Sequence, residues 1–161
     1  MAATYNNLYL DARKRLREAG VEGAQLEARE LVCCAAGKSR EQFYRDMALY
    51  ASDPVEEKLA ELLERRLAGE PVAYLIGEWE FYGLGLDITP DVLIPRMDTE
   101  VLAERAILLA RAAGEGARVL DLCAGSGCVG LAVAANVPGC RVVLADVSEA
   151  ALRLCKQNVR R

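Results

Sequence analysis

Between Thr4 and Gly69 the apolar residues recur every three or four positions, the period of helices with one buried face. Leu8, Ala12, Leu16 and Ala19 form the first such set, with Thr4 placed to cap it and Gly20 to stop it. Ala24, Ala28, Leu31, Val32 and Ala35 form a second, closed by Gly37. Ser39 followed by Gln42 reads as a capping box opening a short third helix. Ser52-Asp53-Pro54 places a cap ahead of a first-turn proline, and Val55, Leu59, Leu62, Leu63 and Leu67 follow up to Gly69. Four or five short helices with small connections predict a compact bundle over residues 1–70. Such a module recognises a partner or buttresses its neighbour, and the pattern alone leaves both open.

The pattern changes at Glu70-Pro71. Residues 71–97, PVAYLIGEWEFYGLGLDITPDVLIPRM, are enriched in aromatic and β-branched side chains and punctuated by glycine. Period-two stretches around Val72–Leu75 and Trp79–Tyr82 predict a connecting β-hairpin. Asp98 is positioned to cap a helix running through Leu102, Ile107 and Leu108 to Ala113. From Arg118 the order is strand, glycine loop, helix, strand, helix, with Val119, Leu120 and Leu122 read as a buried strand. Arg141–Asp146 is the next strand, and Ser148 caps the last helix. Residues 98–161 therefore predict the start of a doubly wound α/β domain. Two parallel strands leave open edges and bare apolar faces, so the expectation is a domain incomplete within these residues.

Candidate chemistry centres on Arg118–Gly130, RVLDLCAGSGCVG. Glycine lets the chain turn tightly off a strand and keeps side chains clear of a helix N-terminus, where a ligand can approach. Gly125, Gly127 and Gly130 also satisfy G-x-G-x-x-G, the dinucleotide fingerprint, so two cofactor types compete. Asp121, on the strand four residues before Gly125, separates them. Its carboxylate would repel a pyrophosphate but can orient an ammonium group, which favours S-adenosylmethionine over NAD. The 117 residues ahead of the motif point the same way, since a dinucleotide domain often opens its chain. Asp146 ends the following strand, 25 residues after Asp121, where one carboxylate can accept both hydroxyls of a ribose. Its bland alternative, a helix cap, is weakened by the presence of Ser148.

Composition removes several other chemistries. The 161 residues contain no histidine, which excludes Ser-His-Asp and Cys-His catalysis and His-ligated metals within them. The six cysteines form no C-x-x-C pair, so buried free thiols are expected and no metal site. A net charge of −4 gives no broad electrostatic grip on nucleic acid, and no direct nucleic-acid binding is expected. The first residues lack an apolar signal core, and no run reaches membrane-spanning length. A cytoplasmic location without membrane contact is the expectation.

The string GEPVAYLIGEWEFYGLGLDITPDVLIPRMDTE, followed by VLDLCAGSGCVGLAVA, resembles the peptide-chain release factor glutamine methyltransferases of the PrmC or HemK type. The first string is similar to that family's interdomain signature; the second is shared among class I methyltransferases. The resemblance covers the N-terminal part of the family. It implies a helical bundle over 1–70, a hairpin linker over 71–97, and the start of a Rossmann-like methyltransferase domain over 98–161. It further implies S-adenosylmethionine as cofactor, a release factor as protein substrate, and methylation of the glutamine amide in a Gly-Gly-Gln motif. Carried over by position, Asp121 and the loop Cys123, Ala124, Gly125, Ser126 and Gly127 surround the methionine part. Asp146 holds the ribose, Val147 lies against the adenine, and Arg96 and Thr99, with Glu100, lie near the mouth of the substrate pocket. The alternative for these last three is structural, an acid-paired arginine and a helical first turn.

Cys123 departs from the family, where glycine is frequent. The family's Asn-Pro-Pro-Tyr motif, which holds the target glutamine, does not occur in these residues. The catalytic residues are therefore unassigned, and the expectation is a cofactor half-site with a partner-binding module, inactive alone. Two readings from other classes stay open: an NAD(P)-dependent oxidoreductase, and a non-catalytic module in which residues 1–69 bind the partner.

Overall fold

The computed structural model describes residues 3–161, which divide into two units at Ile76 and Gly77. The first unit is helical: α1 (Tyr5–Glu18), α2 (Ala24–Ala36), α3 (Arg40–Asp46), α4 (Asp53–Leu67) and α5 (Val72–Ile76). The expected caps form. Thr4 Oγ1 accepts from the Asn7 N–H, and Gly37 ends α2 in the left-handed region. Ser39 and Gln42 close a reciprocal capping box, each side chain accepting from the other's N–H. Ser52 stands at the N-cap of α4 without a side-chain capping bond, and the start there rests on Pro54 in the first turn. Leu16, Leu31, Val32, Phe43 and Leu63 are essentially inaccessible at the centre of the bundle.

Residues 72–76 correct the strand reading. They form a helical turn, with Pro71 O accepting from the Tyr74 and Leu75 N–H groups. Proline suits that first turn, having no N–H to leave unpaired. The turn buries Leu75, with Val72 and Ile76 packed beside it, against the helical core. The alternating stretch is thus used at a spacing of three and four.

The second unit opens with a two-stranded antiparallel hairpin, β1 (Glu78–Phe81) and β2 (Leu84–Asp87), in which Trp79 faces Leu86. Its two-residue turn, Tyr82-Gly83, has positive φ at both positions, 50° and 76°, as a tight hairpin turn demands. Next comes α6 (Met97–Ala112). Asp98 does not cap this helix. The N-cap is Arg96, and Asp98 sits with Glu100 in the first turn, where a carboxylate faces the positive end of the helix dipole. Then β3 (Arg118–Leu122), α7 (Cys128–Asn136), β4 (Arg141–Ala145) and α8 (Glu149–Arg160) complete the order. β3 and β4 pair in parallel, Arg118 opposite Arg141 through Leu122 opposite Ala145, so the β3–α7–β4 crossover predicted from the pattern is present.

One face of this sheet is covered. Val119 and Val142 pack with Ile107 and Ala110 of α6, Val133 of α7 and Val137 at its C-cap. The other is bare. Leu120, Leu122 and Val143 are 63%, 70% and 58% exposed, which corrects the reading of β3 as a buried strand. Neighbouring strand residues point to opposite faces, and the helices described here pack on one of them. α7 lies very close to its face. A Cβ at Gly130 would overlap Leu144 Cδ2 and stand 3.1 Å from Val142 Cγ1 and 3.0 Å from Asp121 Oδ2.

Two predictions follow from these packing features. Gly130→Ala should destabilise the second unit by about 1–2 kcal/mol, overpacking outweighing the gain in helix propensity. Urea unfolding followed by the fluorescence of Trp79, the single tryptophan, reads this unit directly, and an unchanged midpoint would contradict the close packing. In the first unit, Arg45 and Lys38 hydrogen-bond the Asp46 carboxylate at 2.9 and 2.7 Å and hold its pKa down to about 2. A depressed carboxylate contributes stability that is full above its unfolded value of about 4 and lost as pH falls toward the folded one. The stability difference between wild type and Asp46→Asn should therefore be constant near neutrality and shrink between those limits, and an NMR titration of Asp46 should show the low midpoint.

Candidate functional site

Parallel strands point their carboxyl ends the same way, and loops leaving those ends share one edge of the sheet, where open α/β sheets bind ligands. Here that edge carries Asp121 on β3, the loop 123–127 and Asp146 just past β4. Hydrogen bonds tie the three together. Gly125 N–H donates to Asp146 Oδ2 and Ser148 N–H to Asp146 Oδ1, both at 2.9 Å. Gly130 N–H, in the first turn of α7, donates to Asp121 Oδ2 at 2.8 Å. The Ala124 N–H donates to Ala145 O, which extends the ladder by one bond into the loop.

The two carboxylates are tuned in opposite directions. The amides of Ser148 and Gly125 hold the Asp146 carboxyl below the usual range, so it is ionised at neutral pH. Burial pushes Asp121 up, the Gly130 N–H opposes this, and the negative Asp146 adds to it. Each oxygen of Asp146 uses one lone pair on an amide, and a carboxylate has capacity for further donors such as a pair of hydroxyls. Asp121 commits Oδ2 to Gly130, and its other oxygen has no protein partner among the described residues.

The loop leaves room above itself. Gly125 has φ +56°, and the space a side chain would fill there is open to 4 Å. Gly127, at φ +82°, is the N-cap of α7 and has no side-chain capping bond. The Ser126 side chain is buried beside the Cys128 thiol. Cys123 is exposed and has φ +61°. Glycine would adopt that conformation freely, whereas a residue with a Cβ is strained there by about 1–2 kcal/mol. The departure from glycine at 123 thus leaves the turn intact at a local energetic cost. Val147 is 99% exposed beside Asp146.

The remaining positions singled out in the sequence lie on α6. Arg96 is exposed at its N-cap and has no acid partner among the described residues. Thr99 is half-buried, its N–H bonded to Arg96 O. Glu100 Oε1 accepts from the Tyr82 N–H at 3.2 Å, so this acid holds the hairpin turn. Sequence reasoning passed over Cys155 and Asn158 of α8. Cys155 Sγ donates to Gly125 O at 3.1 Å, and Asn158 Nδ2 to Ser126 O at 2.9 Å. The available signal was the polar residue itself: Asn158 falls on the face defined by Ala151, Leu154 and Cys155, all buried.

Burial pushes the Cys128 and Cys155 thiols up, which suits structural rather than nucleophilic roles. No group of three or more His, Cys, Asp or Glu able to hold a metal ion occurs among the described residues. Nor is any of their helices long and apolar enough to cross a membrane. The arrangement is a hydrogen-bonding cradle with two carboxylates.

Comparison with known proteins finds similar sequences for both units. Residues 7–77 match the PrmC N-terminal domain, and residues 95–161 match a family described as lysine methyltransferase. The chain is 36% identical over all 161 residues to a release factor glutamine methyltransferase of Vibrio cholerae, covering 56% of it. It is 45% identical over 143 residues to the protein of that name from Bordetella pertussis, using 85% of this chain and 50% of the relative. The Geobacter sulfurreducens protein is 39% identical over 149 residues, 92% of this chain and 51% of the relative. The chain spans about half the length of these curated relatives. With its helical unit and its glycine loop both matched, the chain is similar, over most of its own length and about half of theirs, to proteins named release factor glutamine methyltransferase.

Proposed function

We propose that these residues form the S-adenosylmethionine half-site and partner-binding module of an enzyme that methylates the glutamine amide of the Gly-Gly-Gln motif in release factors. The observation that carries the cofactor reading is Asp146, ionised and held by two backbone amides beside an open glycine turn. In this reading Asp146 accepts the ribose hydroxyls and the exposed Val147 lies along the adenine. Asp121 orients the ammonium group with its uncommitted oxygen, and the backbone from Cys123 through Ala124, Gly125 and Ser126 to Gly127 bounds the methionine part. The residues fit this cofactor better than a dinucleotide, because a second negative group at Asp121 disfavours a pyrophosphate at the same loop. The bound cofactor would supply a methyl group on a sulfonium.

The chain's own contribution to turnover is orientation. An amide nitrogen is a weak nucleophile, and holding it in line calls for hydrogen-bond acceptors on its N–H groups. The family's Asn-Pro-Pro-Tyr motif supplies them and is not among these 161 residues. Methyl transfer is accordingly proposed for a protein that combines these residues with that motif, in the cytoplasm, with Arg96 and Thr99 near the glutamine and residues 1–70 engaging the release factor. The match of residues 95–161 to a lysine methyltransferase family supports a second reading, transfer to an amine. A lysine peptide is therefore the control substrate for any assay that carries the motif.

The cofactor proposal is tested by calorimetry on this chain. S-adenosylhomocysteine should bind and NAD should not, and Asp146→Ala should weaken binding about a hundredfold, the loss of two hydrogen bonds to a charged group. Binding of NAD alone, or unchanged affinity in the variant, would defeat it.

A further inference from the structure

Asn158 is 6% exposed, and its carboxamide is almost fully used. Oδ1 accepts from the Asp87 N–H at 2.7 Å, while Nδ2 donates to Asp87 O at 3.1 Å and to Ser126 O at 2.9 Å. The first two bonds make the side chain imitate a paired strand residue at the end of β2. The third reaches the peptide between Ser126 and Gly127, in the middle of the glycine loop. A single rigid amide plane therefore joins the hairpin to the loop. Rotating it to release one partner disturbs the other.

The loop is otherwise held from the sheet side, by Asp146 on the Gly125 N–H and by the Ala124 to Ala145 bond. Asn158 and, one turn earlier, Cys155 hold it from α8 through two successive carbonyls, Ser126 O and Gly125 O. Carbonyls drawn toward α8 fix the peptide planes of the loop and hence the direction of its remaining edges.

We propose that Asn158 is a positioning residue for the cofactor site, and that through it the β1–β2 hairpin and the glycine loop respond to ligand as one body. The inference rests on the cofactor reading given above. Anything that orders the loop then orders Asp87, and anything that pulls on the hairpin alters the affinity of the loop, as reciprocity between coupled sites requires. Arg161 also grips the hairpin, by exposed ion pairs to Glu78 and Asp87, and has no hydrogen bond or ion pair to the loop among the described residues, so it reaches the loop only through the hairpin.

The test is amide hydrogen exchange resolved at Asp87, with and without S-adenosylhomocysteine, alongside calorimetry. In the wild-type chain, saturating S-adenosylhomocysteine should slow exchange at the Asp87 N–H, although that group belongs to the hairpin. This measurement requires no variant. Asn158→Ala should lose affinity about tenfold, the usual consequence of leaving a buried hydrogen-bonding group unpaired, and should abolish the ligand response at Asp87. Asn158→Asp retains an acceptor for the Asp87 N–H but turns a carboxylate toward Ser126 O, so its affinity should fall at least as far. Arg161→Ala, which removes only exposed ion pairs to the hairpin, should lose less affinity than Asn158→Ala. Wild-type binding with no change at Asp87, or a folded Asn158→Ala that binds within twofold, would overturn the positioning role and leave the cofactor reading standing. Failure of the wild-type chain to bind would remove both.

Discussion

A helix can approach a parallel sheet only as closely as the side chains between them permit, and at Gly130 there is none. That contact sets the height of α7 above β3 and β4. From it follows the 2.8 Å bond between the Gly130 N–H and Asp121, because the amide of a helix standing farther off would not reach the strand. The same approach brings Leu144 against Gly127 and Gly130 and seats the N-terminus of α7 at the carboxyl edge of the sheet. The glycine loop spans the short distance that remains. Its conformation is thus a consequence of packing as much as of its own sequence.

The electrostatics build on that frame. Two carboxylates lie close enough to influence each other, and the fold resolves the conflict by treating them differently. Asp146 receives two amide donors and stays charged, whereas Asp121 is half-buried with one. A cradle of this kind is suited to holding a ligand with hydroxyls and a positive group, and it contains no histidine base. Such a site contributes to a reaction by fixing where its ligand lies.

Much of this was legible in the sequence because it is local. Caps at Thr4, Ser39 and Ser148, the stop at Gly37 and the crossover through the glycine loop depend on residues within a turn or two of one another. Asp146 was legible because strand ends are marked by where an apolar run stops. What escaped depended on distant partners. Val72–Ile76 alternates like a strand, yet the helical core offered Leu75 a place that no ladder did. Leu120 and Leu122 look like core residues, and their exposure follows from which sheet face the helices occupy, information that lies outside β3. Asp98 had a capping side chain, but α6 begins one residue ahead of it. Asn158 was hidden for a related reason. Its partners lie 71 and 32 residues away, and a polar residue on an apolar helical face states only that some partner exists.

Those separations divide the site by the chain entropy needed to close it. The bonds from Gly130 to Asp121 and from Gly125 to Asp146 span 9 and 21 residues, short loops whose closure is entropically inexpensive. The bond from Asn158 to Asp87 spans 71. Most of the cradle's hydrogen bonds therefore close within one crossover, at a smaller cost in chain entropy than the bond that fastens the hairpin to it. The carboxamide of Asn158 is the latch between a motif closed by short loops and the strand pair that precedes it in the chain.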